Sequence, residues 1–267
     1  MNILYEIQQH YMIFSEKEKQ LADYILGNTG DIKNINIKDL AKRVGISEST
    51  ITRFCKKIDC ENFVDLKLKI NGVLGPNQKE KETENEGFSD IYYFYKDAIE
   101  RTNASVNKSS IIDLVKAIKI AKKIYIYGVG SSGLSASELM IRLIRMGFNV
   151  HSITDSHMMI INSSIVSEED LVIGISISGE TNEVYKALEI AQKNKAKVVV
   201  ITSFESSRIA KLTQEPFIIP NSKFINKEMF VNSQFSVIYL IDLISTVLLQ
   251  DKELNQKMQI TIQTIIG

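Results

Sequence analysis

The sequence has few cysteines and no apolar run long enough for a membrane span. Only two of its 267 residues are cysteines, Cys55 and Cys60. A structural zinc site needs four ligands, and the nearest histidine in sequence is His10. We therefore expect two ordinary thiols and no metal. No apolar run reaches the roughly 18–20 residues that span a bilayer, and Glu6 interrupts the first apolar residues, so we expect no signal peptide and a cytoplasmic protein.

The chain also lacks an excess of charge of either sign. Lys plus Arg and Asp plus Glu both total 32, so no overall basic field indicates a nucleic-acid partner, and any DNA-binding surface must be local. The hydrophobic content of 44% is that of an ordinary globular protein. The length is sufficient for two domains.

The pattern of predicted elements changes once along the chain. Residues 1–75 are predicted to form short helices without strands, and the polar segment 76–88 is predicted to be a linker. The helices expected before the linker lie at 15–26, 37–44, 48–58 and after Asn62. Beyond it, strands are expected near 124–127, 149–153, 171–175, 198–202 and 216–219. The helices expected there lie near 89–106, 109–121, 133–146, 157–166, 181–194, 206–211 and 229–249. This alternation predicts an α/β fold for 89–267, with a doubly wound parallel five-stranded sheet covered on both faces.

The segment from Leu40 to Phe54 has the spacing of a helix-turn-helix. Ala41 is small where two helices would touch, Gly45 can adopt the positive φ of a tight turn, and Ser47 is suited to cap the next helix. The apolar residues expected to face inward are Leu40, Val44, Ile51 and Phe54. Residues 1–75 are therefore predicted to be an all-α helix-turn-helix domain.

The second of these helices has hydroxyl and basic side chains on the face expected to point away from the core. They are Ser49, Thr50, Thr52 and Arg53, followed by Lys56 and Lys57. Between Leu40 and Lys57, five basic residues stand against one acidic residue. Such side chains hold DNA phosphates, and Arg53 could make a bidentate contact to guanine. A helical bundle with a solvated basic face is the alternative, but the placement of Ala41 and Gly45 favours a DNA operator as partner.

Two loops rich in glycine and serine follow the first and third predicted strands. One runs from Gly128 to Gly133 and the other from Ser176 to Thr181, and each leads directly into a helix. Backbone N–H groups, hydroxyls and a helix dipole at one place suit a phosphate. In a sheet of order 2-1-3-4-5, both loops face the same crevice. The residues expected to bind a sugar phosphate there are Gly130, Ser131, Ser132, Ser176, Ser178 and Thr181.

The first loop also fits the pattern G-x-G-x-x-G, so a dinucleotide site is an alternative. Asp155, after the second strand, lies about 20 residues beyond this glycine motif, where the acidic residue that binds the ribose would be found. A dinucleotide fold has no need for S-x-S-G-x-T after its third strand, however. A sugar phosphate is therefore favoured over a dinucleotide or an empty pocket, and no cofactor is expected.

In combination, these motifs resemble two known domains. The sequences YGVGSSG and SISGET are similar to the phosphate loops of a sugar isomerase (SIS) domain, and VGISESTITRFCKK resembles the helix-turn-helix of RpiR-type transcriptional regulators. The resemblance covers nearly the whole chain. It implies a regulator whose DNA binding responds to a phosphorylated sugar, acting as a homodimer or homotetramer, with Asp155 and His157 lining the pocket. Family members often carry Ser-Arg where this chain has Ser233 and Gln234, so the positive charge of that arginine is absent here.

The same fold could instead carry out aldose–ketose isomerisation, with the helical domain as an accessory. That reaction needs a carboxylate or imidazole base, and His157 with Asp155 beside it is the best candidate, although hydrogen bonding to sugar hydroxyls is favoured. Glu180 and Glu183 are expected in the first turn of a helix, where they would interact with its dipole. His151 is expected to be structural, and Glu228 could approach the pocket or cap the last helix.

No acid–base pair in opposed environments is evident, so the sequence predicts a sensor rather than an enzyme. A third possibility is a module that binds a partner protein through its helical domain. It would show no steep loss of DNA affinity with salt.

Overall fold

The computed structural model describes residues 3–32, 34–73, 86–221 and 232–266. The chain divides into two units, one within Met1–Asp97 and one comprising Ala98–Pro220 with Ser233–Gly267. The first ten positions of the predicted linker, 76–85, lie outside the described residues, and its last three are already helical. The predicted domain boundaries therefore stay a prediction.

The described residues before the linker are helical, as predicted. The helices are α1 (Ile3–Gln9), α2 (Glu16–Gly27), α3 (Thr29–Ile32), α4 (Ile37–Val44), α5 (Glu48–Lys57) and α6 (Phe63–Val73). Helix α1 was not predicted, and neither was α3, which is a single turn. Ser15 caps α2 in the predicted capping box: the Ser15 amide donates to Glu18 Oε2 over 2.8 Å, and the Glu18 amide donates to Ser15 Oγ over 3.4 Å.

Helices α4 and α5 form the predicted helix-turn-helix. Gly45 ends α4 with φ 73°, in the left-handed region, and Ser47 Oγ accepts the Thr50 amide at the start of α5. The fully buried side chains around these helices include Leu21, Ile25, Leu40, Ile51 and Phe54. Leu40 belongs to α4, and Ile51 and Phe54 belong to α5. The apolar spacing in the sequence therefore predicts which face of each helix is buried.

The second unit contains a five-stranded parallel sheet of order β2-β1-β3-β4-β5. Its strands are β1 (Ile124–Tyr127), β2 (Val150–Ile153), β3 (Leu171–Ile175), β4 (Lys197–Thr202) and β5 (Phe217–Ile218). The remaining helices are α7 (Glu86–Ser105), α8 (Lys108–Ile120), α9 (Ser131–Arg145), α10 (Ser156–Ser163), α11 (Asn182–Lys193), α12 (Phe235–Leu248) and α13 (Lys252–Ile266). This is the predicted fold class, and β1 lies between β2 and β3 as expected.

Helices cover the sheet on both faces because the side chains of each strand alternate between two apolar cores. Ile124 and Ile126 of β1 pack with residues of α8, α9 and α12. Tyr125 and Tyr127 point to the opposite face and pack with α10 and α11. Strands β1 and β3 are buried along their whole length, which explains their continuous apolar sequences, whereas in β2 only Val150 is buried.

Two of the predicted helices are wrong in extent. The helix predicted at 206–211 is only a 3₁₀ turn at Ala210–Leu212. The last helix, predicted at 229–249, begins at Phe235; positions 229–231 lie outside the described residues. A further helix, α13, was not predicted. Leu254 is the one residue of α13 that is buried, so its apolar periodicity is weak. Within the described ranges, no helix is long and apolar enough to cross a membrane.

Candidate functional site

Glycines allow the first loop to bring the end of β1 against the start of α9. A Cβ on Gly128 would lie 2.6 Å from the Ser132 carbonyl oxygen, and one on Gly133 would lie 2.9 Å from the Gly128 oxygen. Gly130 has φ 59° and ψ −129°, a conformation that side chains disfavour. A larger residue at Gly128 or Gly133 would force the strand end and the helix apart.

The N-terminus of α9 is open to a ligand. Gly130 occupies the N-cap position and supplies no side-chain hydrogen bond, and the first amides of a helix have no intrahelical acceptor. Ser131 is exposed at this terminus, whereas Ser132 is buried. Backbone amides and the Ser131 hydroxyl are therefore the groups that an anion could reach.

The second loop is held in shape by its own hydroxyls. Ser176 Oγ lies 3.0 Å from Thr181 Oγ1 and accepts the Gly179 amide over 3.2 Å. Ser178 Oγ accepts the Glu180 amide over 3.2 Å. Ser176 is only 3% exposed, so its hydroxyl closes the loop, while Ser178 is exposed. Thr181 is the N-cap of α11 but makes no side-chain bond to the helix.

The sheet brings the predicted phosphate-loop residues to one edge. Strands β1 and β3 are paired, with Tyr127 opposite Gly174, so the loops that follow them lie at neighbouring carboxyl ends. Asp155 and His157 follow β2, which is the other neighbour of β1. Asp155 caps α10: its Oδ1 accepts the Met158 amide over 2.9 Å. His157 is exposed in the first turn of the same helix.

Glu180 was expected in the first turn of α11, but it lies before the helix begins. It precedes the N-cap Thr181, and its carboxylate pairs with Arg208 over 3.2 Å. Arg208 lies 28 positions away in sequence, and no sequence motif identified it. Glu183 does lie in the first turn, and His151 stacks on Tyr125 with ring centroids 5.7 Å apart.

Gln234 contributes a buried contact at the start of α12. The Ser135 hydroxyl of α9 donates to Gln234 Oε1 over 3.1 Å, and both residues are buried. Glutamine at this position therefore links the helix of the first loop to α12. Glu228, the other candidate near this helix, lies outside the described residues.

Five of the six predicted DNA-contact residues are exposed on α5. They are Ser49, Thr52, Arg53, Lys56 and Lys57. Thr50 was predicted to face away from the core, but it is 5% exposed. It lies four residues before the buried Phe54 and therefore on the same helix face. Its Oγ1 lies 2.9 Å from Ser47 Oγ.

Lys57 is exposed as predicted, but its ammonium group is already paired within the unit. Its Nζ lies 2.8 Å from Glu18 Oε2, and the Glu18 side chain is only 5% exposed. Burial alone would raise the pKa of Glu18, but hydrogen bonds from Lys57 and Ser15 outweigh it, and the pKa is lowered. Lys57 thus ties α5 to α2.

Cys55 and Cys60 are buried free thiols. Burial is the main cause that raises the pKa of Cys55, to about 12, so this thiol is neutral at physiological pH. Within the described ranges, no three His, Cys, Asp or Glu side chains are grouped as metal ligands would be.

A helix-turn-helix unit in one chain with a parallel sheet that carries two phosphate-type loops defines a class of protein, the DNA-binding regulators with a ligand-binding α/β domain. The family model of the rpiR-family helix-turn-helix domain matches residues 1–77, and that of the SIS domain matches residues 117–244. The chain is an RpiR-type transcriptional regulator.

Relatives and solved structures agree with this assignment. An otherwise uncharacterized HTH-type transcriptional regulator of Clostridium perfringens is 29% identical over 266 residues, covering 94% of this chain and 93% of the relative. The structure of Vibrio vulnificus NanR complexed with ManNAc-6P is 26% identical, covers 99% and 98% of the two chains, and has a TM-score of 0.61. The sugar isomerase domain of an RpiR transcription factor from Sphaerobacter thermophilus shares the fold, with 16% identity, 68% and 98% coverage and a TM-score of 0.61.

Proposed function

We propose that operator binding by this regulator is modulated by a phosphorylated sugar held at the carboxyl ends of β1 and β3. The observation that carries the proposal is the pair of helix N-termini at this edge, α9 and α11, neither of which receives a hydrogen bond from its N-cap side chain. Free amides at a helix N-terminus, with its positive dipole end, favour a doubly charged phosphate.

The remaining groups at this edge suit a sugar rather than a bare ion. Ser131 and Ser178 are exposed hydroxyls beside the two helix starts, and His157 is an exposed donor after β2. The 26% identical NanR of Vibrio vulnificus has been solved with ManNAc-6P, which supports a phosphorylated amino sugar or a related compound as the effector. In this proposal, Gly130, Ser132, Ser176, Thr181 and Asp155 shape the loops around it.

The DNA side of the proposal rests on the exposed face of α5. Arg53 and Lys56 would contact base edges and phosphates, with Ser49 and Thr52 beside them. We further propose a homodimer or homotetramer. Its paired helix-turn-helix units would require DNA half-sites that lie about one helical turn apart, or a multiple of that distance. The effector changes operator affinity by as much as its affinity differs between the two arrangements of the assembly.

The site favours a sensor over an isomerase. Asp155 is engaged as the N-cap of α10, and Glu180 is paired with Arg208. Asp155 and Glu180 therefore already have structural partners, whereas an isomerase needs a base free to take a proton from the sugar, a role for which the exposed His157 remains the candidate.

The first experiment is fluorescence anisotropy of the full-length protein with DNA from upstream of its own and adjacent genes, against scrambled DNA, at two salt concentrations. We expect tighter binding to the upstream DNA, a steep loss of affinity with salt, and a change in affinity when ManNAc-6P or another hexose phosphate is added. Arg53→Ala should weaken specific binding by about 1–3 kcal/mol if it makes a bidentate base contact.

Two results would contradict the proposal. Equal binding of upstream and scrambled DNA, unaffected by every phosphosugar, would remove the regulatory role of the site. Sustained turnover of an aldose or ketose phosphate that is lost in His157→Ala would identify an isomerase instead.

A further inference from the structure

One arginine outside both phosphate loops makes most of its contacts with the second of them. The Arg208 backbone amide donates to Glu180 Oε1 over 3.1 Å, and its Nε lies 3.2 Å from Glu180 Oε2. The guanidinium also donates to the Glu180 carbonyl oxygen and, over 3.3 Å, to Asn182 Oδ1. One side chain therefore spans Thr181, the N-cap of α11.

An aromatic ring lies against the same guanidinium. The Arg208 Cζ is 4.9 Å from the centroid of the Tyr185 ring, a cation–π distance. Tyr185 is in the first turn of α11, since its amide donates to the Thr181 oxygen over 3.0 Å. Arg208 is thus bound both to the loop and to the helix whose N-terminus the loop opens.

The residues on either side of Arg208 support the loop as well. The Ile209 amide donates to the Gly179 oxygen over 3.1 Å. A Cβ on Gly179 would lie 2.0 Å from Ser207 Oγ, and Gly179 has φ 66°. The segment 207–209 therefore packs against the turn at 179, where only a glycine fits.

These contacts have an electrostatic consequence for an anion site. The Glu180 carboxylate adjoins the helix N-terminus that would receive the phosphate, and an unpaired carboxylate there would repel it. The Arg208 guanidinium lies beside Glu180 Oε2 and remains over a third exposed, while the Arg208 backbone amide donates to Glu180 Oε1. The pair offsets the charge of Glu180 at the N-terminus of α11, where Glu183 in the first turn is a second carboxylate.

We propose that Arg208, with Glu180, Asn182 and Tyr185, forms a clamp that positions the second phosphate loop and cancels the charge of Glu180. Arg208 is a positioning residue, and this inference rests on the proposed sugar-phosphate site. The clamp predicts that the loop binds phosphate well only while the guanidinium is present.

The test is binding of inorganic phosphate and of ManNAc-6P to the full-length protein by calorimetry. We expect Arg208→Ala to weaken phosphate binding about tenfold, with operator affinity in the absence of ligand unchanged. Arg208→Lys keeps the positive charge but cannot bridge Glu180 and Asn182. Its affinity for phosphate should therefore lie between those of the wild type and Arg208→Ala. Adding Glu180→Gln to Arg208→Ala should recover part of the loss, because the uncompensated carboxylate is then removed. A merely structural role would show no such recovery.

Lys193→Ala is the matched control, since Lys193 pairs with Glu189 over 3.1 Å at the far end of the same helix. It should bind phosphate like the wild type. The clamp is wrong if Arg208→Ala and the wild type bind within twofold of each other, or if Lys193→Ala loses as much. Should Arg208→Ala fail to fold, Arg208→Lys and Glu180→Gln give the same comparison. A wild type that binds neither inorganic phosphate nor any phosphosugar of a hexose phosphate panel would overturn the proposed function itself, and the clamp with it.

Discussion

At the scale of single residues, the adjacent lysines of α5 differ in their surroundings. Lys57 pairs with the buried carboxylate of Glu18, whereas Lys56 is exposed and makes no ion pair with any other residue that the structure describes. We expect Lys57→Ala to lower the free energy of unfolding by about 1–2 kcal/mol, because it leaves Glu18 buried without its cation. Denaturant titration measures this loss.

Lys56→Ala is the control for that change. It should leave stability within about 0.5 kcal/mol and reduce the salt dependence of operator binding, as the loss of one phosphate contact does. The two roles would be reversed from our assignment if Lys56→Ala destabilised the protein and Lys57→Ala did not.

The Glu18–Lys57 pair also predicts a pH dependence. The pKa of Glu18 is lowered in the folded protein from its ordinary value of 4.5, so the unfolded chain takes up the proton first as the pH falls. The pair therefore stabilises the fold fully above about pH 4.5 and loses this contribution as the pH falls through the folded pKa. We expect the difference in stability between wild type and Lys57→Ala to shrink below pH 4.5. A constant difference from pH 7 to pH 3 would contradict this.

Two serines of the second loop test which hydroxyls face the ligand. Ser178 is exposed, so Ser178→Ala should weaken effector binding about tenfold and leave the melting temperature nearly unchanged. Ser176 is buried against Thr181, so Ser176→Ala should cost about 1 kcal/mol of stability as well. Calorimetry with ManNAc-6P and thermal unfolding separate the two effects. Equal losses of stability in both variants would mean that Ser178 also has a structural role.

At the scale of elements, the helix-turn-helix depends on the backbone of one glycine. Gly45 has φ 73°, and nothing lies within 4 Å of a Cβ added there. Gly45→Ala should therefore cost about 1 kcal/mol through backbone strain alone, without a clash. Gly30, within the helical turn α3, likewise has open space but no positive φ. Gly30→Ala should be neutral or slightly stabilising. Chemical denaturation measures the free energy of unfolding of both variants. An equal loss of stability in Gly45→Ala and Gly30→Ala would show that the positive φ of Gly45 is not the cause.

The elements with strong apolar patterns could be predicted from the sequence. All five strands and both helices of the helix-turn-helix were found, because apolar patterning and the Ser47 cap leave local signals, whereas the strand order 2-1-3-4-5 came from the doubly wound fold type that the alternation of strands and helices implies. Helix α13 was missed because only Leu254 is buried along it. Arg208 was missed because its partners lie 23–28 positions away, and a single sequence carries no signal for such a pair. Thr50 was assigned to the wrong face although its spacing from Phe54 gave the answer.

At the scale of the whole molecule, the proposed DNA contacts and the proposed effector site lie in different units of the chain. Arg53 belongs to the first unit and Ser178 to the second. Substitutions at these positions share no partner, so their effects on ligand-free protein should add. In the proposed assembly, communication between the sites would come from its two arrangements.

This separation leads to a prediction about linkage. A phosphorylated sugar that changes the affinity for operator DNA by some factor must itself be bound more tightly or more weakly by the same factor when operator is present. This reciprocity holds because both ligands bind to one protein and shift the same equilibrium between its states. Such factors are typically about 5- to 150-fold. We expect calorimetric titration with the active phosphosugar to give different affinities for free protein and for protein saturated with operator DNA. Arg53→Ala should remove the effect of the operator at concentrations where the variant no longer binds it, while leaving the affinity of free protein unchanged. Identical sugar affinities with and without bound operator would show that the SIS domain does not regulate DNA binding, even if both ligands bind tightly.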